Sequence, residues 1–257
     1  MKLAAIDIGS NAVRLLISEV VEQAEENPDF IKTVLVRVPL RLGFDVFERG
    51  SISGKKAEQL VKTMQAYKLL LDVYGVRHLK ACATSAMRDA ANTQEVLQRI
   101  KTESGITVRV ISGEEEATLI YENHIADYMD AAESYLYIDV GGGSTELTFF
   151  SDGKLVFKKS FNIGTIRLLK DQVSADNWEE MKTYIRQKIK GHHHVTAIGS
   201  GGNINKIFNL SKRKEGKPID LELLKQYHKD LNELSIPERM QRFRMREDRA
   251  DVIVPAL

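Results

Sequence analysis

Residues 138–150 have the sequence IDVGGGSTELTFF, and residues 6–17 have a shorter form of the same pattern, IDIGSNAVRLLI. Each run combines an apolar strand, an aspartate near its end, a tight turn of Gly and Ser, and a second strand that returns. Glycine permits the positive φ angles that such a turn needs and leaves space around the backbone. Successive N–H groups can then point into one concavity that binds an anion. The repeated pattern therefore predicts two related halves, each with an anion-binding turn.

The rest of the chain predicts the same order of elements in both halves. In the first half we expect strands at residues 3–8, 13–20 and 31–40, a helix at 53–74, a strand at 78–84, a helix at 92–104, a strand at 106–111 and a helix at 114–128. In the second half we expect strands at 134–140, 145–150 and 154–161, a helix at 175–190, a strand at 195–198 and a helix at 203–210. This duplicated plan predicts two α/β domains, residues 1–128 and 129–257, with a cleft between them.

Local signals set some of these boundaries. Ser53 and Asn92 are N-cap residue types that stand directly before helical patterns. Gly105 follows the second helix, a position where glycine commonly ends a helix. The pair Asp152-Gly153 lies between two strand patterns and predicts a two-residue hairpin turn.

Composition limits the class of protein. Hydrophobic residues make up 43% of the chain, which is enough apolar material for two cores. A net charge of +1 gives no electrostatic basis for binding nucleic acid or for a polybasic membrane contact. The single cysteine, Cys82, excludes an intrachain disulfide and lies in an apolar run that favours a buried thiol. The N-terminus lacks the apolar length of a signal peptide and no run approaches a membrane span, so we expect a cytoplasmic protein.

Four motifs follow one another along the chain. They are DIGSNAVRL at residues 7–15, ATSAMRDA at 83–90, SGEEEA at 112–117 and DVGGGSTE at 139–146. This ordered set resembles the exopolyphosphatase/guanosine pentaphosphate phosphatase family, which is part of the actin–Hsp70–sugar kinase superfamily. The resemblance implies an α/β fold of two duplicated actin-like (ribonuclease H-like) domains, each with a mixed five-stranded sheet and helices.

Two glutamates are the candidate catalytic residues. The resemblance implies that Glu116 activates the attacking water, whereas Glu114 and Glu115 can be explained by the favourable effect of negative charge at a helix N-terminus. Glu146 lies just beyond the second turn and matches the second essential glutamate of the family, a ligand of metal or water. The alternative for Glu146 is an exposed carboxylate on a strand.

Asp7 and Asp139 are the candidate metal ligands, together with Glu146. Mg²⁺ prefers oxygen ligands and is usually bound through one or two carboxylates and several waters. An aspartate can also cap a turn, and that alternative stays open for one of the two.

The candidate phosphate-binding residues are the members of the two turns, three arginines and a third glycine-rich loop. The turns offer backbone N–H groups, hydroxyls and an amide from Gly9, Ser10, Asn11, Gly141, Gly142, Gly143, Ser144 and Thr145. Arg14 can stabilise charge that develops on a transferred phosphate, and the resemblance adds Arg88 and Arg249. Arg88 could instead pair with Asp89 or Glu115.

The loop of Gly199, Ser200 and Gly201 follows a strand and opens a helix, so it either accepts further phosphates or allows a tight strand–helix turn. The run His192-His193-His194 lacks metal-ligand spacing, which favours a surface turn over a metal site.

The end of the chain is apolar, with the sequence VIVPAL at residues 252–257. The resemblance implies that the second domain continues beyond it, which indicates a truncation. We therefore expect this terminus to be buried against a partner subunit in a homodimer, or else to lower solubility and activity.

The leading functional hypothesis is a Mg²⁺-dependent hydrolase that removes terminal phosphates from inorganic polyphosphate, from guanosine pentaphosphate, or from both. Membranes and nucleic acid are not expected as partners. One alternative is a sensor that binds phosphorylated nucleotides without turnover, and another is a superfamily kinase or ATPase. A sensor would not need a base at Glu116, and the kinases and ATPases share the turns but not the ATSAMRDA and SGEEEA motifs.

Overall fold

The computed structural model describes residues 1–21, 29–116, 118, 133–192, 194–214 and 216–257. Contacts divide the chain into two compact units, Met1–Ser112 and Gly113–Leu257, called here the N-terminal unit and the C-terminal unit. The domain boundary predicted between residues 128 and 129 lies outside the described residues and stays a prediction.

The N-terminal unit contains one mixed sheet and four helices among the described residues. Its elements are β1 (Lys2–Ile8), β2 (Val13–Val21), β3 (Asp29–Val38), α1 (Leu42–Arg49), α2 (Gly54–Val73), β4 (His78–Ala83), α3 (Ser85–Asp89), α4 (Thr93–Ser104) and β5 (Arg109–Val110). The sheet order is β3-β2-β1-β4-β5, with β1 to β3 antiparallel and β4 parallel to β1 and β5. The strands predicted for this unit and the helices predicted at residues 53–74 and 92–104 are present, and α1 and α3 are additions. Most of the helix predicted at residues 114–128 lies outside the described residues.

One face of this sheet is apolar. Ile6 and Ile8 of β1 and Leu15 of β2 are almost completely buried. Helix α2 is tied to β2 because the Tyr67 hydroxyl donates to the Val13 carbonyl over 3.1 Å. Burial raises the pKa of this hydroxyl to about 12, so it remains a donor at neutral pH. Side chains alternate along a strand, which leaves the opposite face for the polar residues of β1 and β2.

The predicted helix caps of this unit are correct in two cases out of three. The Ser53 side chain accepts the N–H of Lys56 at the start of α2, and Gly105 ends α4 with a φ of 73°. Asn92 stands at the N-cap of α4, but its side chain makes no cap bond. Its amide instead bonds the N–H and carbonyl of Ile52, at 2.9 and 2.8 Å, so the predicted cap is wrong.

The C-terminal unit begins with helical residues 113–116 and then builds a second sheet. Its further elements are β6 (Ser134–Val140), β7 (Thr145–Ser151), β8 (Lys154–Phe161), α5 (Thr165–Leu169), α6 (Ala175–Ile189), β9 (Val195–Ser200), α7 (Gly202–Ser211), α8 (Leu221–Asn232), α9 (Ile236–Phe243) and α10 (Glu247–Ala250). The sheet order is β8-β7-β6-β9, with β9 parallel to β6. The predicted Asp152-Gly153 turn joins β7 to β8, with φ angles of 52° and 69°.

The second sheet corrects one prediction, because its described part has four strands and not five. After β9 the described chain forms only helices. The sequence favours this outcome locally: Ser235 and Glu238 form a capping box at α9, with a proline in the first turn, and such a start commits the segment to a helix.

Two hydrophobic clusters stabilise the C-terminal unit. The first lies between one face of the sheet, including Leu147 and Phe149, and helix α6. Helix α6 also carries Trp178, the only tryptophan of the chain, with an exposed fraction of 36%. The second cluster joins Ile207 and Leu231 to the end of the chain.

The first two residues of the apolar C-terminal run are buried inside their own unit, and residues 254–257 are half-buried. Val252 and Ile253 are 1% and 0% exposed, and Ile253 belongs to the second cluster. Helices α7 to α10 supply the surface on which Ile253 packs, so Val252 and Ile253 need no partner subunit to cover them. The homodimer stays a prediction. Among the described helices, none has the length and apolar character needed to cross a membrane.

Candidate active site

The first turn connects β1 to β2 in the N-terminal unit. The N–H of Gly9 donates to the Ala12 carbonyl over 3.1 Å, which closes the turn. Ser10 is buried, and its hydroxyl lies 2.7 Å from the hydroxyl of Ser85. The Ser10 carbonyl accepts the N–H of Gly43 at 2.8 Å, and the Asn11 carbonyl accepts the N–H of residue 41 at 2.9 Å. Helices α1 and α3 therefore hold the turn in place.

The ATSAMRDA motif lies beside the first turn. The N–H of Thr84 donates to the Ile8 carbonyl over 3.1 Å, because β4 runs parallel to β1 and ends at the same edge. Arg88 of α3 donates from Nη1 to the Ile111 carbonyl over 2.9 Å, just beyond β5. The carboxyl ends of three neighbouring strands thus bring Ser10, Ser85 and Arg88 to one edge of the sheet.

Asp7 and Arg14 form an ion pair on the polar face of the first sheet. They are direct partners in the β1–β2 register, and Arg14 Nη1 lies 2.6 Å from Asp7 Oδ2. Their side chains are 44% and 46% exposed, so solvent screens the attraction. An incoming phosphate would compete with the carboxylate for this guanidinium. The assignment of Asp7 to metal and of Arg14 to phosphate stays a prediction.

The second turn, in the C-terminal unit, repeats the closure of the first. The N–H of Gly141 donates to the Ser144 carbonyl over 2.9 Å, as Gly9 does to Ala12. The Gly/Ser turns were expected to need positive φ angles at these glycines, but neither Gly9 nor Gly141 has one. A Cβ added to Gly9 would lie 3.2 Å from the Ala12 carbonyl oxygen, and one added to Gly141 would lie 3.1 Å from that of Ser144. Close approach of the backbone is the constraint at both positions.

Acidic side chains face each other beside the second turn. Asp139 of β6 and Glu146 of β7 are direct partners in the antiparallel register, so they share one face of the sheet. Glu146 is only 4% exposed, and its Oε1 accepts a hydrogen bond of 2.9 Å from the Ser160 hydroxyl. The alternative of an exposed strand carboxylate is therefore wrong for Glu146.

This carboxylate pair fits a divalent cation. Like charges directly opposite each other in a sheet are destabilising, and a cation would offset that repulsion. No group of three or more His, Cys, Asp and Glu side chains gathers as a metal site in the described part of the chain. Mg²⁺ does not require such a group, because waters and substrate phosphates supply most of its ligands.

The glycine-rich loop after β9 contacts the same aspartate. Ser200 is the register partner of Asp139 in the parallel β6–β9 pair. Gly201 has a φ of 94°, and a Cβ added there would lie 2.7 Å from Asp139 Oδ1. Arg249 donates from Nη1 to the carbonyl of Gly202, at the start of α7. A tight turn is thus required at Gly201, and Arg249 is placed at this loop.

The helical turn that carries Glu116 is connected to the face that carries Glu146. Glu116 is half-buried, and the Thr118 hydroxyl donates to the carbonyl of residue 114 at 2.8 Å. The ammonium group of Lys158 on β8 donates to the same hydroxyl. Lys158 and Ser160 are two residues apart on β8, so both side chains lie on the face of Glu146. The first turn of this helix therefore approaches the acidic face of the second sheet.

The structure places His192 on the opposite, apolar face of the second sheet. The His192 Nδ1 lies 2.8 Å from the Ser151 hydroxyl, and its ring packs edge-on against Phe149 at 5.1 Å. This contact is with the apolar face of the sheet, so the half-buried His192 is a packing residue and not part of an exposed turn. His193 lies outside the described residues.

The predicted residues thus form one group in each unit. The N-terminal group comprises Asp7, Gly9, Ser10, Asn11, Arg14 and Arg88, and the C-terminal group comprises Glu116, Asp139, Gly141, Gly142, Gly143, Ser144, Thr145, Glu146, Gly199, Ser200, Gly201 and Arg249. The contacting residues Ser85, Lys158 and Ser160 were not among the predicted site residues. Ser85 lies inside a motif that was recognised, whereas the β8 residues required the strand register.

The chain is similar to known proteins over most of its length. The profile described as the Ppx/GppA phosphatase family matches residues 16–257. A bifunctional 3-dehydroquinate synthase/phosphatase of Fusobacterium nucleatum is 28% identical over 242 residues, which is 93% of this chain and 34% of that protein. Exopolyphosphatase 1 of Mycobacterium tuberculosis is 30% identical over 176 residues, 68% of this chain and 50% of that protein. The chain thus spans half or less of the length of these relatives.

Solved structures agree with the fold. An exopolyphosphatase from Cytophaga hutchinsonii superposes with a TM-score of 0.81 at 26% identity, covering 100% of this chain and 88% of that one. The Ppx/GppA family member of Aquifex aeolicus superposes with a TM-score of 0.73 at 27% identity, covering 99% and 87%. The predicted two-domain α/β fold class is confirmed.

Proposed function

Because this chain belongs to the Ppx/GppA phosphatase family, we propose that it is a hydrolase that removes terminal phosphates from inorganic polyphosphate, from guanosine pentaphosphate, or from both. The observation that carries the proposal is the arrangement in the C-terminal unit. Asp139 and Glu146 are paired on one face of the sheet beside a Gly/Ser turn, and the helix of Glu116 is connected to that face through Lys158.

The reaction requires a water in line with the bond between phosphorus and the leaving oxygen, and a group that takes the water's proton. Glu116 is the proposed base. It is half-buried in the first turn of its helix, and a carboxylate there can take the proton of the attacking water. Glu146 is held by the Ser160 hydroxyl and orients the same water or the metal.

Asp139 and Glu146 would hold a divalent cation, proposed to be Mg²⁺, with Asp7 as a further candidate from the N-terminal unit. When bound, such a cation neutralises charge on the phosphate oxygens and on the leaving group. The chain itself supplies donors to phosphate: the N–H groups of the turn at Gly141–Ser144, the corresponding turn at Gly9 and Ser10, and the side chain of Asn11. Arg14, Arg88 and Arg249 are proposed to stabilise the charge of the transferred phosphate.

Inorganic polyphosphate is the first substrate to test, because relatives named exopolyphosphatase are found among both the sequences and the structures. The protein should be incubated with polyphosphate, with guanosine pentaphosphate and with ATP in parallel, with and without Mg²⁺, and both phosphate release and binding of guanosine pentaphosphate should be measured. Release from neither substrate, together with tight binding of guanosine pentaphosphate, would favour the nucleotide sensor. Release of phosphate from ATP alone would favour the kinase or ATPase alternative.

The variant that tests the mechanism is Glu116→Gln, which keeps the shape of the side chain and removes its basicity. We expect turnover to fall on the order of 10²–10⁴-fold with binding retained, the usual loss for a general base. Glu114→Gln removes the same charge from an exposed neighbour and serves as the control, with turnover within about threefold of the unchanged protein. Equal turnover in the two variants would remove Glu116 from the mechanism.

A further inference from the structure

The carbonyl groups of the three glycines in the second turn are all bound by the same short helix. Three consecutive glycines of the turn accept hydrogen bonds from three consecutive residues of α5, in the order Thr165 N–H to Gly141 at 3.0 Å, Ile166 N–H to Gly142 at 2.8 Å, and Arg167 Nε to Gly143 at 2.7 Å. The turn is therefore fixed one peptide at a time by the start of a short helix.

This arrangement decides where the N–H groups of the turn point. In a trans peptide the C=O and N–H groups lie on opposite sides of the C–N bond. Because the carbonyls of residues 141, 142 and 143 point toward α5, the N–H groups of Gly142, Gly143 and Ser144 point away from it. Three successive N–H groups directed to one side are the geometry of a backbone anion site.

The contact between α5 and the turn is also close. A Cβ added to Gly164, the residue before α5, would lie 2.4 Å from the carbonyl carbon of Gly143 and 2.6 Å from the oxygen of Gly142. At the far side of the turn the Thr145 hydroxyl donates to the Ile163 carbonyl over 2.6 Å. Residues 163–167 thus bond four of the five residues from Gly141 to Thr145, all except Ser144.

Of the three groups that donate to the glycine carbonyls, only that of Arg167 belongs to a side chain. The bonds from Thr165 and Ile166 use backbone N–H groups, which almost any sequence would supply. The bond to Gly143 comes from a guanidinium, so it is charge-assisted and stronger than a neutral bond. A positive charge at the Gly143 carbonyl also polarises that peptide and strengthens its N–H, which belongs to Ser144, as a donor.

We propose that Arg167 is a positioning residue of the site: it fixes the Gly143–Ser144 peptide so that the Ser144 N–H faces a phosphate oxygen, and it acts through the turn and not by touching the substrate. This inference rests on the proposed function, because it takes the second turn as the site of the terminal phosphate.

The test combines kinetics with NMR of the ¹⁵N-labelled full chain, using tripolyphosphate as the probe. In the unchanged protein the amide resonances of Gly142, Gly143 and Ser144 should all shift on titration. In Arg167→Met the shift of Ser144 should be lost while the two glycine shifts remain. The kcat should fall by about tenfold or more, a smaller loss than that for removing a whole oxyanion donor, with little change in KM.

Arg186→Met is the matched control, because it removes one positive charge from an exposed position on α6. It should show all three shifts and unchanged kcat. If circular dichroism shows that Arg167→Met does not fold, Arg167→Lys decides the matter: its shorter, single-point donor should weaken the Ser144 shift at least about twofold.

A full Ser144 shift in whichever Arg167 variant folds would overturn the inference while leaving the hydrolase proposal intact. Phosphate release without any amide shift in the turn of the unchanged protein would also overturn it alone. Absence of both phosphate release and amide shifts would overturn the inference and the proposed function together.

Discussion

Gly164 is the position where the candidate site most strictly requires glycine, because there is no space for a Cβ. An added Cβ would lie below 3 Å from three backbone atoms of Gly142 and Gly143, and backbone cannot rotate away as the end of a flexible side chain can. At Gly9 and Gly141 the corresponding distances are 3.2 and 3.1 Å, which a shift of a few tenths of an ångström would relieve. The strict requirement for glycine therefore lies outside the Gly/Ser motif, in a segment with no recognisable pattern.

Gly164→Ala should lower the free energy of unfolding by about 1–3 kcal/mol, the usual cost of overpacking, and should reduce phosphate release because the turn is displaced. Gly54→Ala is the control: nothing lies within 4 Å of its added Cβ, and alanine favours the first turn of α2. Urea unfolding and phosphate release should be measured for both. Equal stability and activity of the two variants would show that the close approach at Gly164 is absent in solution.

At the scale of the element, the β7–β8 hairpin shows where prediction from sequence stops. Counting outward from the Asp152-Gly153 turn pairs Ser151 with Lys154, and a regular ladder would then pair Glu146 with Lys159. A register shift beside Phe149 pairs Glu146 with Ser160 instead. A slip of one residue moves every side chain to the other face. Nothing in the sequence marks that shift, so the strands and the turn were predictable and the Ser160 hydrogen bond was not.

Helix length explains why the short helices beside the Gly/Ser turns were not predicted, although the 12-residue α8 was omitted as well. The 20-residue α2 and the 15-residue α6 were predicted, whereas α1, α3 and α5, with 8, 5 and 5 residues, were not. Helices this short are not stable alone and depend on tertiary contacts. Here those contacts are with the two Gly/Ser turns. The motif residues of the site were therefore recognisable, while Ser85 and Arg167, on the helices that support them, were not assigned.

Asp45 connects α1 to the start of α2 and gives a pH-dependent prediction. Its carboxylate accepts the Ser53 N–H at 3.0 Å and lies 3.3 Å from the Lys56 ammonium. Burial alone would raise the pKa of Asp45, but the bonds to Ser53 and the charge of Lys56 outweigh it and hold the pKa below the ordinary 3.8. The stabilisation is therefore present above the ordinary pKa and is lost as pH falls through the lowered one.

Asp45→Asn should accordingly reduce the free energy of unfolding by about 1–2 kcal/mol at neutral pH. The difference in free energy of unfolding between Asp45→Asn and the unchanged protein should become smaller as pH falls below about 4. Asp72→Asn, which removes an exposed partner of Lys68, should cost less than about 0.5 kcal/mol. Urea unfolding at a series of pH values measures the stability of both variants. A difference for Asp45→Asn that stays constant down to pH 3 would contradict a stabilising role for the ionised Asp45 carboxylate.

At the scale of the whole molecule, each unit has a sheet and a turn of the same kind, but their hydrophobic cores differ in construction. The C-terminal unit contains the additional cluster around Ile207, Leu231 and Ile253, which closes over the end of the chain. This cluster replaces the partner surface that the apolar terminus was expected to need. Its contribution can be measured because Ile253 is completely buried.

Ile253→Ala should destabilise the C-terminal unit by about 2–5 kcal/mol, the range for truncating a buried isoleucine. Leu221→Ala removes an aliphatic side chain that is 63% exposed and should change stability by less than about 0.5 kcal/mol. Differential scanning calorimetry of the two variants makes the comparison. Equal unfolding temperatures for the two variants would mean that the second hydrophobic cluster is not formed in solution.

The position of Trp178 on α6 has a practical consequence for spectroscopy. Because it is the only tryptophan of the chain, intrinsic tryptophan emission reports on the C-terminal unit alone. Far-ultraviolet circular dichroism reports on the helices of both units, so the two signals coincide during heating only if the units unfold as one cooperative block. If they unfold separately, a compound that stabilises only the N-terminal unit leaves the emission curve unchanged and goes undetected in a fluorescence-based ligand screen.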